Sequence, residues 1–331
     1  MCILLCLLPV SAGAGQAVPE ADTVIATANR VADWQLAHMS DFEDYIPTFL
    51  HRTVNPRGWV QGTFLTGLAV WAAHSGSIPY FEFLRQYAIE QDWQLGARLY
   101  HADDHVVGQY YLALQNMFPN PLTIRPVQNQ FDLILADPPQ GSLDFGPQGA
   151  LADQGYDHDC QRKWCWSDAL FMSPPVWFEL SKITGDPRYR DYANELYWET
   201  VDYLFDDEAG LFLRDSRFFE QRDETGGKIF WSRGNGWVFY GLTRIIDTLA
   251  AESPLRPRYI QLYRQMAEAL LPLQRANGFW PVSLLDPVPE QVRESSGTAF
   301  FVAGLAWGIN QGILEQSRVD NAVLRGWNGL V

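Results

Sequence analysis

Asp168 lies in the stretch Trp164-Cys165-Trp166-Ser167-Asp168-Ala169-Leu170-Phe171-Met172-Ser173-Pro174-Pro175, an acid set among two tryptophans, a phenylalanine and a methionine. A carboxylate beside so much apolar surface is costly to keep ionised. Burial raises its pKa and lets it hold a proton near neutral pH. A protonated carboxyl in that range is what general-acid catalysis requires. Asp is also a favoured N-cap, and the pattern from Ala169 towards Lys182 is helical, so the local sequence supports capping and catalysis equally.

A second polar concentration is His101-Ala102-Asp103-Asp104-His105. Two carboxylates flanking a sugar are the common hardware of glycoside cleavage, so this doublet is a candidate partner for Asp168. Acids also decorate helix N-termini, where the dipole favours them. His101 and His105 are four apart, but no Glu follows His101, as the zinc-protease pattern requires. The third concentration is Ser232-Arg233-Gly234-Asn235-Gly236-Trp237. Arg233 can grip a carboxylate through two parallel hydrogen bonds, and the glycines let backbone approach a ligand closely. Trp237 can stack on a ring or be buried in a core. Arg214-Asp215-Ser216-Arg217 offers further positive charge, or a surface ion-pair cluster worth little. Ser295-Ser296-Gly297-Thr298 offers hydroxyls, most simply as a helix cap. There is no phosphate loop, dinucleotide fingerprint or nucleophile elbow.

These residues must be placed by helices. Small or polar residues followed by a helix rich in aromatics recur at Trp59, Asp104, Trp166, Arg233 and Ser296. Amphipathic helices run between them, from Pro79 to about Trp93, Pro187 to Tyr203 and Pro257 to Gln274. Intervals of roughly 45 to 70 residues suit helical hairpins. The spacing predicts an all-α domain over residues 18–331, with no linker dividing it. Closing the hairpins into a ring puts one helix set inside and brings the N-terminal ends of that set to one mouth. Strand signals are sparse: Gly210 to Arg214 reads as a short strand, and Ile124 to Val127 as extended. Pro and Gly clusters at 118–126, 138–148, 253–257 and 287–289 read as loops.

The chain has 331 residues, 47% hydrophobic, enough for a large core, with 13 Trp, 14 Tyr and 19 Phe for packing or for stacking on sugars. A net charge of -15 argues against nucleic acid as a partner, because phosphate binding needs a basic face. An anionic substrate would need a local Arg or Lys cluster to overcome that field. Ile3 to Val10 is a short apolar run followed by small residues, which reads as a secretory signal over residues 1–17, cleaved after Ala14 or Ala17. Secretion or a periplasmic location follows as an expectation. The run is too short to span a bilayer, and no other segment looks transmembrane. Beyond it only Cys160 and Cys165 remain, whose spacing permits a disulfide or two free thiols. No set of Cys or His has zinc-ligand spacing, and no metal is expected.

Several ordered motifs then converge: Trp166-Ser167-Asp168-Ala169-Leu170-Phe171-Met172-Ser173-Pro174-Pro175, Thr184-Gly185-Asp186-Pro187-Arg188-Tyr189, Leu211-Phe212-Leu213-Arg214-Asp215-Ser216, Phe230 to Trp237, Ser296 to Phe301 and Trp327-Asn328-Gly329-Leu330. From about residue 25 to the end they resemble glycoside hydrolase family 105, the unsaturated rhamnogalacturonyl hydrolases. The resemblance implies an (α/α)6 barrel of six helical hairpins. It implies a substrate with a 4,5-unsaturated uronic acid at its non-reducing end, left by a polysaccharide lyase. An Asp protonates C4 of the double bond, water adds at C5, and the hemiketal opens to release the sugar. Asp168 matches the acid. The second active-site Asp falls in the 103–104 doublet, with Asp104 favoured and Asp103 beside it. Arg233 and Trp237 match the motif near the uronate. His105, Trp166, Ser296 and Thr298 are the remaining candidate substrate contacts. An unsaturated glucuronyl hydrolase acting on ulvan-type algal oligosaccharides, and a catalytically silent sugar-binding barrel, are the competing readings.

Overall fold

The computed structural model describes residues 18–39, 55–146, 159–287 and 292–331. The expected signal segment, residues 1–17, lies outside them. Helix α1 is Ala21–Ala37, α2 Trp59–Ser75, α3 Ile78–Glu90, α4 Ala102–His105, α5 Val107–Met117 and α6 Pro121–Ala136. Then come α7 at Ala169–Met172, α8 at Pro174–Thr184 and α9 at Pro187–Leu204. A two-stranded hairpin follows, β1 at Phe205–Asp206 and β2 at Leu211–Phe212, antiparallel with Phe205 opposite Phe212. Helices α10 (Ser232–Thr248), α11 (Arg256–Leu270), α12 (Ser295–Asn310) and α13 (Gln316–Leu330) complete the described chain.

Two helix types alternate, for a reason visible in their sequences. In α9 the buried residues are Tyr189, Ala193, Leu196, Tyr197, Thr200, Val201 and Leu204, with Trp198 at the edge, so one apolar stripe meets a largely charged face. Such a helix covers a core from one side. By contrast α10 buries Trp237, Val238, Phe239, Leu242, Ile245 and Ile246 together with its small residues, so it is enclosed by neighbours. The enclosed helices α2, α5, α8, α10 and α12 pack each against the next, and each packs with the amphipathic helix that follows it. That is a run of inner helices jacketed by outer ones, the layering of the helical barrel expected. Aromatic stacking joins the layers: Trp177 of α8 lies 3.7 Å from Phe131 of α6, and Phe239 of α10 lies 4.8 Å from Tyr263 of α11. Inner helices approach closely where glycine allows it. A Cβ on Gly241 would sit 3.1 Å from the Leu170 carbonyl.

Two local expectations are corrected. The helix expected from Ala169 towards Lys182 is broken at Ser173 into α7 and α8, because Pro174 and Pro175 cannot donate backbone N–H groups to a preceding turn. Of residues 118–126, read as loop and partly as extended, 118–120 are loop and 121–126 instead open α6. Its Asn120 side chain accepts from the Leu122 N–H, Pro121 takes the first helical position, and Pro126 is carried inside. The apolar period of Ile124, Val127, Phe131 and Ile134 outweighs the proline signal. Among the described residues no helix is long and apolar enough to cross a membrane.

Candidate active site

The N-terminal ends of the inner helices meet around a cavity of about 600 Å³. Asp103, Asp168, Arg233 and Trp237 all line it, with Trp59 and Trp166 in its walls.

Asp168 stands at the start of α7, yet its side chain makes no cap hydrogen bond. The capping role that the local sequence allowed is therefore not the one taken. The carboxylate instead accepts a 3.0 Å hydrogen bond from Ser167 Oγ. Gly234 makes room for that hydroxyl, since a Cβ there would fall 2.9 Å from Ser167 Oγ and from the Trp231 ring. Burial pushes the Asp168 carboxyl above the usual carboxylate range, although Arg214, Ser167 and Arg233 pull the other way. Two residues away, Trp166 packs against His101 with ring centroids 5.0 Å apart.

The acid doublet divides its roles. Asp104 accepts from the Arg98 N–H at 2.7 Å, from Nε at 3.2 Å and from Nη2 at 2.6 Å. Its side chain is 5% exposed and fully engaged. Asp103, 21% exposed, faces the cavity. Burial pushes its carboxyl up to about 7, with the Asp168 and Asp104 charges adding to the rise and Arg98 opposing it. Both acids line the cavity, and Asp104, the one favoured as the second acid, is the one paired with Arg98.

Arg233 lies in the first turn of α10, its guanidinium 4.3 Å from the Trp231 ring centroid, and no carboxylate pairs with it among the described residues. Arg214 stands 5.6 Å from the same ring. Asn235 links the two segments. Its Oδ1 accepts from the Phe212 N–H at 2.8 Å, and its Nδ2 donates to the carbonyls of Phe212 and Trp231, each at 3.0 Å. The Ser167 N–H donates to the Arg214 carbonyl at 2.9 Å, so the Asp168 segment is tied to the same frame. Trp237 packs on Phe171 and Phe300 and keeps only an edge to the cavity. Cys160 and Cys165 form a disulfide, settling the choice left open by their spacing, and it anchors the Asp159–Lys163 turn next to Trp166.

Three expected substrate contacts are not at the cavity. His105 is buried, with Nδ1 2.7 Å from Ser173 Oγ and Nε2 donating to the Leu99 carbonyl at 2.8 Å. Burial lowers its pKa to about 4, so it is a neutral core residue. Thr298 is fully buried and its hydroxyl accepts from the Trp280 N–H at 3.1 Å. Ser296 bonds to Glu294, and Glu294 caps α12 by accepting from the Gly297 N–H at 2.6 Å. The hydroxyl cluster thus serves the helix end. Sequence reasoning overlooked Arg98, Trp231 and the brace at Asn235. Trp231 adjoins the Arg233 motif and was within reach; Arg98 carried no local signal. Among the described residues no group of three or more His, Cys, Asp or Glu could hold a metal ion.

Two carboxyls of raised pKa, aromatic walls and a guanidinium with no carboxylate partner among the described residues, in a helical barrel, define a class: an enzyme that cleaves glycosides of acidic sugars. Comparison with known proteins gives the particular family. Residues 25–331 match the family model described as Glycosyl Hydrolase Family 88. The chain is 40% identical over 315 residues, 93% of its length and 76% of the relative's, to the unsaturated 3S-rhamnoglycuronyl hydrolase of Alteromonas sp. (strain LOR). It is 32% identical over 312 residues to the enzyme of the same name from Formosa agariphila, covering 91% of this chain and 77% of that one. In fold it is similar to the glycosyl hydrolase family 88 protein of Bacteroides vulgatus, with a TM-score of 0.77 at 24% identity over 93% of this chain and 85% of that one. A family 105 glycoside hydrolase of Clostridium acetobutylicum superposes with a TM-score of 0.70 at 22% identity, covering 92% and 82%. The chain belongs to glycosyl hydrolase family 88, and it is a glycoside hydrolase.

Proposed function

We propose that this enzyme removes a 4,5-unsaturated uronic acid from the non-reducing end of lyase-generated, rhamnose-containing oligosaccharides. The curated relatives named for unsaturated rhamnoglycuronyl substrates support that choice. The observation that carries the chemistry is the meeting of Asp168, Asp103 and Arg233 in one aromatic-walled cavity.

Asp168, whose burial favours the protonated carboxyl, delivers its proton to C4 of the electron-rich double bond. Positive charge develops at C5 and the ring oxygen. Asp103 receives a proton from the water that adds at C5, which leaves a hemiketal. The hemiketal opens and the leaving sugar departs with its own hydroxyl. Arg233, backed by Trp231 and assisted by Arg214, holds the uronate carboxylate and so fixes C4 relative to Asp168. Trp59, Trp166 and Trp237 offer apolar faces and edges to the sugar rings. Proton donation from one placed group supplies about a hundred- to ten-thousand-fold in rate. The Cys160–Cys165 disulfide and the apolar run near residue 1 favour a secreted or periplasmic setting.

The test is direct. The protein is incubated with unsaturated disaccharides released by rhamnogalacturonan and ulvan lyases, and the ultraviolet absorbance of the double bond is followed. Steady loss of absorbance on at least one is expected; none on either overturns the proposal.

A further inference from the structure

Ser167 has a single hydroxyl, and the structure gives it to Asp168. The residue is 1% exposed and its backbone is held from both sides: the N–H donates to the Arg214 carbonyl at 2.9 Å, and the carbonyl accepts from the Leu170 N–H at 3.1 Å. A serine just ahead of a helical turn commonly lends its oxygen to the N–H groups of that turn. Here the Ala169 N–H is taken by the Trp166 carbonyl, and the Leu170 N–H by the carbonyl of Ser167 itself. The hydroxyl donates to Asp168 Oδ2 at 3.0 Å, and no other side chain hydrogen-bonds this carboxyl among the described residues.

A hydroxyl rotor turns to suit its partners unless its surroundings confine it. Gly234, in the first turn of α10, lets that helix close on Ser167: a Cβ there would fall 2.9 Å from Oγ. Asp168 itself is only half-buried and lines the cavity. A protonated carboxyl accepts best on its carbonyl oxygen, so a hydrogen bond received at Oδ2 leaves the proton on Oδ1. When that proton is given up the acceptor becomes a carboxylate, and a hydrogen bond to an ionised acceptor is about twice as strong as one between neutral groups. An interaction that strengthens as the reaction proceeds lowers the barrier instead of tightening the ground state.

We propose that Ser167 is the positioning residue for the proton donor: it keeps the proton of Asp168 on Oδ1 and, by tightening on Oδ2 as the carboxylate forms, speeds transfer to C4. The Oδ1–H bond breaks, the electron pair of the double bond forms the C4–H bond, and the charge left on Asp168 is met by the Ser167 hydroxyl. This assignment rests on the proposed hydration of an unsaturated uronate and adds to it a residue that sets the rate.

The experiment measures kcat and KM across pH for the wild-type enzyme, Ser167→Ala and Ser167→Cys, on the unsaturated disaccharide turned over fastest. Ser167→Ala is expected to lower kcat by about tenfold, the difference between a charged and a neutral hydrogen bond, with KM nearly unchanged. The alkaline limb of kcat should at the same time move to higher pH, because Ser167 is one of the groups that hold the Asp168 carboxyl down against burial. Ser167→Cys keeps a weaker donor and should lie between the two. A serine that only packs would lower kcat or Tm and leave the limb in place. An unchanged kcat, or a limb that stays or moves to lower pH, overturns the proposal. Absence of turnover on every unsaturated substrate overturns the uronate-removal reading instead. The role of Ser167 is then read by carbon-13 NMR titration of the Asp168 carboxyl, identified by its loss in Asp168→Asn. Its midpoint should rise in Ser167→Ala, and an unmoved midpoint overturns the proposal.

Discussion

Nη2 of Arg98 lies 2.6 Å from a carboxylate oxygen of Asp104, and that pairing separates Asp104 from its neighbour Asp103. With its charge already matched, Asp104 is a structural acid that holds the Arg98 segment against α4. Asp103 is left to face Asp168 across the cavity. Substitution should expose the division. Asp104→Asn removes the Asp104 charge from beside the Arg98 guanidinium, 31% exposed, at a cost of about 2 kcal/mol after allowance for solvent screening. Thermal denaturation should show a lower Tm for Asp104→Asn and little change for Asp103→Asn. The kcat values should show the larger loss for Asp103→Asn. The reverse pattern would return the second acid to Asp104.

Asp168→Asn removes the proposed proton donor without changing side-chain volume. Turnover should fall by about a hundred-fold or more, with the circular dichroism spectrum unchanged. A variant that keeps a large fraction of wild-type activity would remove Asp168 from the role.

The two raised carboxyls fix the direction of the pH dependence. The folded-state value for Asp103 is about 7, against 3.8 for the ordinary group. The folded protein therefore binds that proton more tightly than the unfolded chain does, and stability drops as pH climbs from about 4 to about 7. Asp168, also raised, contributes with the same sign. The pair titrates as a unit, and kcat/KM should decline on the alkaline side of about pH 7 as the proton shared between the two carboxyls is lost. Asp103→Asn removes a neighbouring negative charge from Asp168, so the alkaline limb should move to lower pH. A limb that stays in place would separate the two groups electrostatically.

Asn235 holds the Phe212 and Trp231 backbones together through three hydrogen bonds. Asn235→Ala strands buried partners, at about 1–3 kcal/mol, and loosens Arg214 relative to Arg233. KM for the uronate should rise more than kcat falls. An unchanged KM in a destabilised variant would make Asn235 purely structural.

Reduction of the Cys160–Cys165 disulfide reopens a short loop, a loss of about 2 kcal/mol on loop-closure grounds. Because the bridge ends three residues before Asp168, activity should decline with it. Titration with dithiothreitol, read by both Tm and turnover, tests this; unaffected turnover would detach the bridge from the site.

Much was legible from the chain alone. Apolar period marked α3, α9 and α11 to within four residues at each end, because one-sided burial must repeat at helical spacing. The aromatic setting of Asp168 announced an acid of raised pKa, and the Arg233 motif announced a carboxylate grip, since both depend on residue type and near neighbours. Other features depended on partners distant in sequence or on directions that spacing does not encode. Both Asp103 and Asp104 line the cavity, and which of them is already paired was decided by where Arg98 sits. His105, Ser296 and Thr298 were drawn into packing and helix-end contacts, with partners such as Ser173 and Trp280 brought close only by the packing of the helices. Residue types and their spacing determine which groups are available for chemistry; the folded barrel decides which are already satisfied by one another and which remain free to meet a substrate.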